Sequence, residues 1–307
     1  MNKKIILLPL IALAITGCGT QNNNPGHSKH EHTFDSLVVI NDADWRTYLL
    51  YSDFNTQGLK VGVKCSTCNQ IEEVDYIVEN NTQLVIDQQF VTIKYENLYL
   101  EYGIKVTEKL SIACVGDSLT AGHYWANESY PTKLSNIVNE NYEVGNFGVN
   151  GISITGYGGS WNDPEMRYIK QDVYQNSVNF APDIFAIMLG TNDATGWANA
   201  EATFDEYYHI LLDSYLEQFP YAKYIMMVSP PVIQNTFGIP NDTIRDEINP
   251  RQRDLADEYG FELLDLREEF EATDDYINKF LRPNDGVHFT ALAAEYVAGR
   301  VWDIIKD

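Results

Sequence analysis

Beyond residue 108, the chain alternates short apolar runs with segments whose apolar residues recur at helical spacing. Small, β-branched and other apolar residues fill the runs almost continuously, which indicates strands buried on both faces, as in a parallel sheet. The alternation of such strands with helices predicts an α/β fold with a doubly wound, five-stranded parallel sheet. The predicted strands cover residues 110–115, 142–147, 183–189, 223–228 and 261–266.

The segments between these runs carry an apolar stripe along one side, so they predict helices that pack on the sheet. Pro250 lies within one of them and predicts a kink or a break there, because proline lacks the backbone N–H that a helix interior requires. The predicted helices cover residues 132–139, 165–179, 204–219, 242–259 and a closing segment from about residue 290.

Residues 34–107 have a different sequence pattern, in which apolar and polar residues alternate over short runs. A period of two is typical of half-buried strands, and several short strands in a small region predict a β-sandwich. We therefore expect a small all-β domain at 34–107, followed by the α/β domain at 108–307. The predicted strands of the first domain cover residues 36–40, 60–64, 74–78, 89–95 and 99–106.

The first 33 residues predict processing and attachment rather than a folded domain. Residues 1–17 combine Lys3 and Lys4 with an apolar run that is too short to span a bilayer, as in a secretory signal peptide. Residues 18–33 are polar and predict a flexible tether. We assign the tether histidines, including His32, to this linker rather than to a metal site, because no fixed geometry holds them.

The net charge narrows the range of partners. The chain has 44 acidic and 21 basic residues, a formal charge of −23. Such a surface repels nucleic acid and anionic phospholipid, so a neutral substrate is the simpler expectation, although solubility alone explains the charge equally well. No glycine-rich nucleotide loop follows a predicted strand, and His123 and His288 are too few for a metal centre, so we expect no cofactor and no catalytic metal.

The candidate chemistry begins at Ser118, in the Gly-Asp-Ser that ends the first predicted strand of the parallel sheet. Open α/β sheets place their reactive groups at this edge, although a serine here could also simply cap the following helix. Further blocks follow at residues 146–151, 190–193 and 285–288, reading NFGVNG, GTND and DGVH. Together, in this order, the blocks resemble those of the GDSL or SGNH hydrolase family across residues 109–307.

The resemblance implies an SGNH or flavodoxin-like strand order 2-1-3-4-5 and a serine esterase. Ser118 would be the nucleophile, His288 its general base, and Asp285 the carboxylate that orients and stabilises the imidazole. The oxyanion would be bound by the backbone N–H groups of Ser118 and Gly151 and by the side-chain amide of Asn192.

Two neighbouring residues receive other roles. Gly148 is the rival to Gly151 and is expected to be a turn glycine. Asp117 is expected to accept hydrogen bonds that support the turn carrying the nucleophile.

Sequence detail around the second and third blocks, NFGVNG…YGGSW with IMLGTND, resembles carbohydrate O-acetylesterases, including acetylxylan-esterase-like members. It implies hydrolysis of short acyl esters, mainly acetyl, on a saccharide. A lipid or aryl esterase of the lysophospholipase type is the alternative enzyme, and a surface glycan-binding adhesin is the alternative without catalysis. Nearby aromatic residues could stack on sugars, wall an acyl pocket or simply pack: Tyr124, Trp125, Tyr157, Trp161 and Trp197.

Two resemblances concern the N-terminal part. The sequence Ile15-Thr16-Gly17-Cys18 resembles a bacterial lipobox, which implies cleavage before Cys18 and a lipid-modified cysteine that anchors the protein outside the cytoplasmic membrane. An ordinary signal peptide is the alternative. Residues 34–107 resemble bacterial Ig-like domains, which implies an accessory module, a spacer or a binding domain for a glycan or a protein partner.

Cys65 and Cys68 lie between two predicted strands and leave three interpretations open. A disulfide suits an extracellular compartment and is our preferred prediction. A redox Cys-x-x-Cys would require a βαβ context, and a zinc site would require further ligands. Cys114 falls in the first strand of the parallel sheet and is expected to be a core residue.

Overall fold

A computed structural model describes residues 32–123, 128–233, 237–283 and 285–306. The predicted signal peptide, the lipidation site Cys18, most of the tether, Tyr124 and Trp125 lie outside these ranges. None of the helices within the described ranges is both long enough and apolar enough to cross a bilayer.

The N-terminal region forms short strands, as the period-two pattern predicts. The strands are β1 (Phe34–Asn41), β2 (Thr47–Leu49), β3 (Lys60–Cys65), β4 (Ile71–Glu73), β5 (Ile77–Glu79), β6 (Phe90–Tyr95), β7 (Leu98–Gly103) and β8 (Lys105–Thr107). Two antiparallel sheets have the strand orders β1-β3-β4 and β5-β6-β7, and β2 pairs with β8 in parallel. The predicted strand 74–78 is replaced by β4 and β5, the predicted strand 99–106 is divided into β7 and β8, and β2 was not predicted.

Alternate residues of these strands enclose a small core of their own. In β6, Val91 and Ile93 are fully buried, whereas Thr92 between them is partly exposed. Val61 of β3 and Leu84 of a connecting loop are also fully buried in this cluster. The buried residues of this cluster are distinct from those of the parallel sheet, so the N-terminal region and the α/β region each bury their own apolar residues.

The predicted disulfide is not formed, because Cys65 and Cys68 are both free thiols in the structure. Their sulfur atoms pair with other groups. Cys65 Sγ lies 3.1 Å from Thr67 Oγ1, and Cys68 Sγ lies 3.2 Å from His32 Nδ1. His32, which we expected to be a mobile linker residue, therefore packs against the Cys-x-x-Cys turn.

The rest of the chain forms the predicted α/β layer. Its strands are β9 (Leu110–Gly116), β10 (Tyr142–Gly148), β11 (Tyr157–Gly158), β12 (Trp161–Asn162), β13 (Ile184–Met188), β14 (Lys223–Val228) and β15 (Glu262–Asp265). Its α-helices are α1 (Ser118–Ala121), α2 (Tyr130–Ile137), α3 (Asp172–Asn179), α4 (Trp197–Ala200), α5 (Phe204–Gln218), α6 (Asn241–Thr243), α7 (Asn249–Tyr259), α8 (Leu266–Glu271), α9 (Tyr276–Phe280) and α10 (Ala291–Lys306).

Five of these strands form one parallel sheet in the order β10-β9-β13-β14-β15. Numbered from β9, this is the order 2-1-3-4-5 that the family resemblance implies, and the predicted α/β class is confirmed. The chain leaves β9 towards one side for β10 and then crosses to the other side for β13. The direction therefore reverses between β9 and β13, and a crevice opens beyond the carboxyl ends of strands at such a point.

Two predicted helices differ from the observed ones near prolines. The helix predicted over 165–179 begins only at Asp172, after two 3₁₀ turns at Pro164–Met166 and Tyr168–Lys170. The helix predicted over 242–259 contains a π-turn at Ile244–Ile248, directly before α7. Pro250 cannot donate to the carbonyl four residues before it, so the ladder of hydrogen bonds widens at this position.

The N-terminal strands dock onto the amino-terminal edge of the parallel sheet. Asp183, just before β13, is buried, accepts the Ser111 N–H of β9 at 3.0 Å and pairs with Lys105 of β8. Thr47 Oγ1 donates to Tyr221 O at 2.9 Å, just before β14. The carboxyl-terminal edge, where the predicted site residues lie, is therefore left clear of these strands.

The ion pair between Lys105 and Asp183 should carry part of this docking. We expect Lys105→Ala to lower the free energy of unfolding by about 1–2 kcal/mol, between the values typical of exposed and buried pairs, because Asp183 is buried and Lys105 is partly exposed. Denaturant unfolding measures the loss. Lys109→Ala is the matched control, since Lys109 and Glu143 are both half exposed and 3.9 Å apart. Equal losses in the two variants would contradict the assigned role of Asp183.

Candidate active site

Ser118 lies at the sheet edge that the sequence predicts. β9 ends at Gly116, and Ser118 is the first residue of α1. Asp117 caps this short helix, accepting the Leu119 N–H at 2.9 Å, as expected for a carboxylate that supports the turn. The first N–H groups of a helix have no intrahelical acceptor. Within the described residues the Ser118 N–H makes no hydrogen bond to the protein, so it is available to a ligand.

Ser118, His288 and Asp285 form one hydrogen-bonded line. His288 Nε2 lies 2.9 Å from Ser118 Oγ, and His288 Nδ1 lies 2.8 Å from Asp285 Oδ2. The other Asp285 oxygen accepts the backbone N–H groups of Val287 and His288, both at 2.9 Å. Because Nδ1–H donates to the carboxylate, Nε2 is left as the acceptor for the serine hydroxyl.

The protonation states of His288 and Asp285 suit proton transfer from Ser118. Burial lowers the pKa of His288 below its ordinary value, outweighing the hydrogen bond to Asp285. Burial opposes ionisation of Asp285, but hydrogen bonds from the His288 backbone and ring leave the pKa of that carboxyl lowered. At neutral pH the imidazole is therefore neutral and the carboxylate charged, which is the state a general base and its orienting partner require.

Two aromatic neighbours of His288 were not predicted from the sequence. The His123 ring stacks on the His288 ring, with centroids 3.9 Å apart and planes within 4° of parallel. Phe237 meets the His288 ring edge-on at 5.1 Å. These contacts fix the plane of the imidazole that faces Ser118. No sequence pattern indicates them, because His123 and Phe237 come from separate loops.

Asn192 follows β13 and lies beside the nucleophile turn. Its Nδ2 donates to Ile152 O at 2.9 Å and makes a longer contact of 3.4 Å with Asp117 Oδ2. The side chain is thereby held between the nucleophile turn and the loop after β10. One of its two N–H groups is firmly bound, and the other is weakly held.

Asp193 anchors the loop that carries Gly151. It is fully buried and accepts the N–H groups of Ile154 and Thr155 at 3.0 Å, together with the Thr155 hydroxyl at 2.7 Å. Burial raises the pKa of Asp193 to about 6, although these donors oppose the shift. The next residue after Gly151, Ile152, accepts the Asn192 amide through its carbonyl oxygen, so the loop with Gly151 is tied to Asn192 as well as to Asp193. Gly151 has a φ of +74°, in the region that favours glycine.

Gly148 is not a turn glycine with positive φ, contrary to our expectation. It ends β10, where the backbone runs directly against the nucleophile helix. A Cβ placed on it would meet Ala121 N at 2.2 Å and Asp117 O at 2.8 Å. The absence of a side chain therefore allows β10 and α1 to approach each other.

Of the tryptophans near the site, Trp197 is packed against other side chains, whereas Trp161 is exposed. Trp197 packs on Phe204 with ring centroids 5.4 Å apart, and the Arg251 guanidinium lies over it at 5.4 Å. Trp161 is 40% exposed, on the short β11–β12 hairpin. The N–H of Ser160 donates to Gly151 O at 3.2 Å, so Trp161 is held next to the loop that carries Gly151.

A serine, an imidazole and a carboxylate lie in one hydrogen-bonded line at the switch point of a parallel α/β sheet, which is the arrangement of a serine hydrolase site on an α/β fold. The chain matches the GDSL-like lipase/acylhydrolase family over residues 114–295 and belongs to that family. The domain that carries the site is accordingly that of a carboxylic ester hydrolase.

The individual proteins that the chain resembles share less than 30% sequence identity with it. The chain is 27% identical over 180 residues to an acetylxylan esterase of Xylanibacter ruminicola; the match covers 52% of this chain and only 36% of that protein. It shares its fold with a carbohydrate acetylesterase family member from Sinorhizobium meliloti, at a TM-score of 0.50, 19% identity and coverage of 64% of this chain and 97% of that one. An aryl esterase of M. smegmatis has a TM-score of 0.50 at 17% identity, covering 64% and 98%.

The close approach at Gly148 yields a prediction. Gly148→Ala should displace the nucleophile turn and lower kcat/KM by about 100-fold, the loss that a misplacement of about 1 Å can cause. Steady-state kinetics on a soluble ester measures the effect. Gly299→Ala in α10 is the control, because a Cβ there meets nothing within 4 Å, and it should leave kcat/KM unchanged. Full activity of Gly148→Ala would show that β10 does not position Ser118.

Proposed function

We propose that the protein hydrolyses short acyl esters, mainly acetyl groups on carbohydrates, by a Ser-His-Asp mechanism. The observation that carries the mechanism is the unbroken hydrogen-bonded line from Ser118 Oγ through His288 to Asp285. Ser118 Oγ attacks the ester carbonyl as its proton passes to His288 Nε2, and Asp285 stabilises the imidazolium. The imidazolium then protonates the sugar oxygen of the ester as its bond to the acyl carbon breaks, and the sugar leaves with a free hydroxyl. A water molecule, deprotonated by His288, next attacks the acyl-enzyme, which releases the carboxylate and restores Ser118.

We assign the oxyanion site to the Ser118 N–H, the Gly151 N–H and the Asn192 amide. Of the two N–H groups of Asn192, the one near Asp117 makes only the 3.4 Å contact, so it can turn to the developing oxyanion while the other stays on Ile152 O. Burial raises the pKa of Asp117 to about 7, so this carboxyl competes less strongly for the amide. Each donor aimed at the oxyanion contributes about 3 kcal/mol of barrier lowering.

Three observations support a carbohydrate substrate. The acetylxylan esterase of X. ruminicola is a relative. The exposed Trp161 beside the Gly151 loop offers a flat apolar face of the kind that packs on a sugar ring. The net charge of −23 disfavours anionic lipid surfaces and suits a neutral glycan.

We further infer that the chain is a bacterial lipoprotein, attached outside the cytoplasmic membrane through Cys18, with residues 34–107 as an Ig-like accessory domain. The basic and apolar N-terminal residues and the Ile15–Cys18 sequence support the anchor. The separate core of residues 34–107 and their position at the edge of the sheet remote from Ser118 support an accessory role in spacing or in binding a glycan or a protein.

The mechanism predicts that Ser118→Ala abolishes ester cleavage without unfolding, because the Ser118 hydroxyl is the group that accepts the acyl group from the ester. Activity on p-nitrophenyl acetate and the circular dichroism spectrum provide the two readouts. Ser214→Ala, on α5 and outside the hydrogen-bonded line, should keep full activity. Retention of activity by Ser118→Ala would remove this residue from the mechanism.

The pH profile of the wild-type chain tests the base separately. Because His288 acts as a base only when neutral, and burial lowers its pKa from 6.5, activity should fall as the pH drops through a midpoint below 6.5 and stay level above it. A midpoint of kcat/KM above about 7 would contradict a buried, neutral imidazole as the base.

The substrate is tested with acetate release from acetylated xylo-oligosaccharides and with p-nitrophenyl esters of increasing chain length. Rates should fall steeply beyond butyrate, and preference for octanoate would instead indicate a lipid esterase. Trp161→Ala should raise KM for the oligosaccharide by about 2- to 12-fold, since aromatic packing is worth about 0.5–1.5 kcal/mol, and should leave KM for p-nitrophenyl acetate unchanged. Tyr99→Ala, an exposed aromatic of β7, is the control.

A further inference from the structure

A second cluster of reactive side chains lies in the N-terminal region. The ligand atoms of His32, Cys65 and Cys68, an imidazole nitrogen and two sulfurs, all lie within 4.8 Å of one another. His32 Nδ1 lies 3.2 Å from Cys68 Sγ. Among the described residues this is the one group of three such side chains close enough to hold a metal ion.

Strand pairing brings the three residues together. β1 and β3 run antiparallel, and their register places Phe34 opposite Cys65. The Ser66 N–H donates to Thr33 O at 3.1 Å, which extends the contact by one residue beyond the strand end. His32 comes directly before Thr33, and the Cys-x-x-Cys turn begins at Cys65, where β3 ends. The hydrogen bonds between β1 and β3 therefore fix both segments.

The turn itself is shaped to present two sulfurs to one side. Asn69 follows Cys68 with a φ of +61°, and its N–H donates to Cys65 O at 2.9 Å, which closes the loop.

The imidazole is also oriented, and the cluster has an open side. The His32 ring stacks on Phe34 with centroids 5.8 Å apart and planes 24° from parallel, which limits its rotation. Cys65 is buried, whereas Cys68 and His32 are exposed. A cation can therefore enter from solvent, and the exposed side leaves room for a water molecule as fourth ligand.

We propose that His32, Cys65 and Cys68 bind a thiophilic divalent cation of the zinc class. Two thiolates and a neutral imidazole match the ligand preference of Zn²⁺, and their combined charge of about −2 balances the ion. Binding releases the two thiol protons to solvent and changes no oxidation state. The ion would tie the start of β1 to the β3–β4 turn at the point where the predicted tether enters the fold.

The test uses the full chain, reduced and stripped of metal, titrated with Co²⁺ and then Zn²⁺. One equivalent of Co²⁺ should produce thiolate-to-cobalt charge-transfer absorption and the visible bands of a tetrahedral site. Added Zn²⁺ should displace the Co²⁺, and these bands should then disappear. His32→Ala should weaken Co²⁺ binding by more than about 100-fold, since losing an outer-shell partner alone costs 10–100-fold. Cys68→Ser should abolish the charge-transfer absorption of the site.

Control variants separate this site from other thiols and histidines. Cys114→Ala removes a buried thiol of β9, and His209→Ala removes a partly exposed histidine of α5; both should bind Co²⁺ as the unaltered chain does. Esterase activity should be unchanged in His32→Ala. Absence of Co²⁺ binding by the reduced chain, or binding that His32→Ala leaves intact, would overturn the proposal. A Cys65–Cys68 disulfide that resists mild reduction would do the same.

Discussion

One hydrogen bond, between His288 Nε2 and Ser118 Oγ, joins residues 170 positions apart, and the rest of the site is arranged around it. A bond of this kind requires both side chains to be fixed within a few tenths of an ångström, which a flexible loop alone does not provide. Ser118 is fixed by β9, in which residues 112–116 are all buried and which ends two residues before it. His288 is fixed by Asp285, by the stacked His123 ring and by the backbone hydrogen bond from Arg282 N–H to His288 O at 2.9 Å.

The site is stabilised at the cost of burying charge-bearing groups. Asp117 and Asp193 are both fully buried, and burial raises the pKa of each. An unpaired buried carboxylate would be strongly destabilising, so each accepts backbone N–H groups from the segments it supports. Asp117 holds the nucleophile turn, and Asp193 holds the loop with Gly151. Burying these two carboxyl groups is unfavourable for folding, but their hydrogen bonds fix the segments that carry the proposed oxyanion donors.

The parts that could be predicted from sequence are those governed by burial along one segment. The strand predicted at 223–228 coincides with β14, because a continuous apolar run reports burial on both faces. The helix predicted over 165–179 begins late, because the fully buried Tyr168 donates from its hydroxyl to Phe147 O at 2.8 Å and ties a 3₁₀ turn to the end of β10. That contact depends on tertiary structure, which periodicity does not contain.

The contrast between patterns along one segment and contacts between separate segments also explains which site residues could be predicted. Ser118, Asp285 and His288 could be identified because the family blocks place them at the ends of strands and loops in a known order. His123 and His32 could not, because their partners depend on how separate segments are registered in space. His123 meets His288 through loop packing, and His32 meets the Cys-x-x-Cys turn through the register of β1 against β3.

The N-terminal strands attach to the parallel sheet without covering the site around Ser118. They are held at the amino-terminal edge of the sheet by Asp183 and by the Arg46 guanidinium, which lies 4.5 Å from the Tyr102 ring and 4.6 Å from the Tyr221 ring. In a parallel sheet the opposite edge carries the loops that form the site. Attachment at the amino-terminal edge therefore leaves the loops around Ser118 uncovered by the N-terminal strands, and changes in the N-terminal region need not disturb those loops.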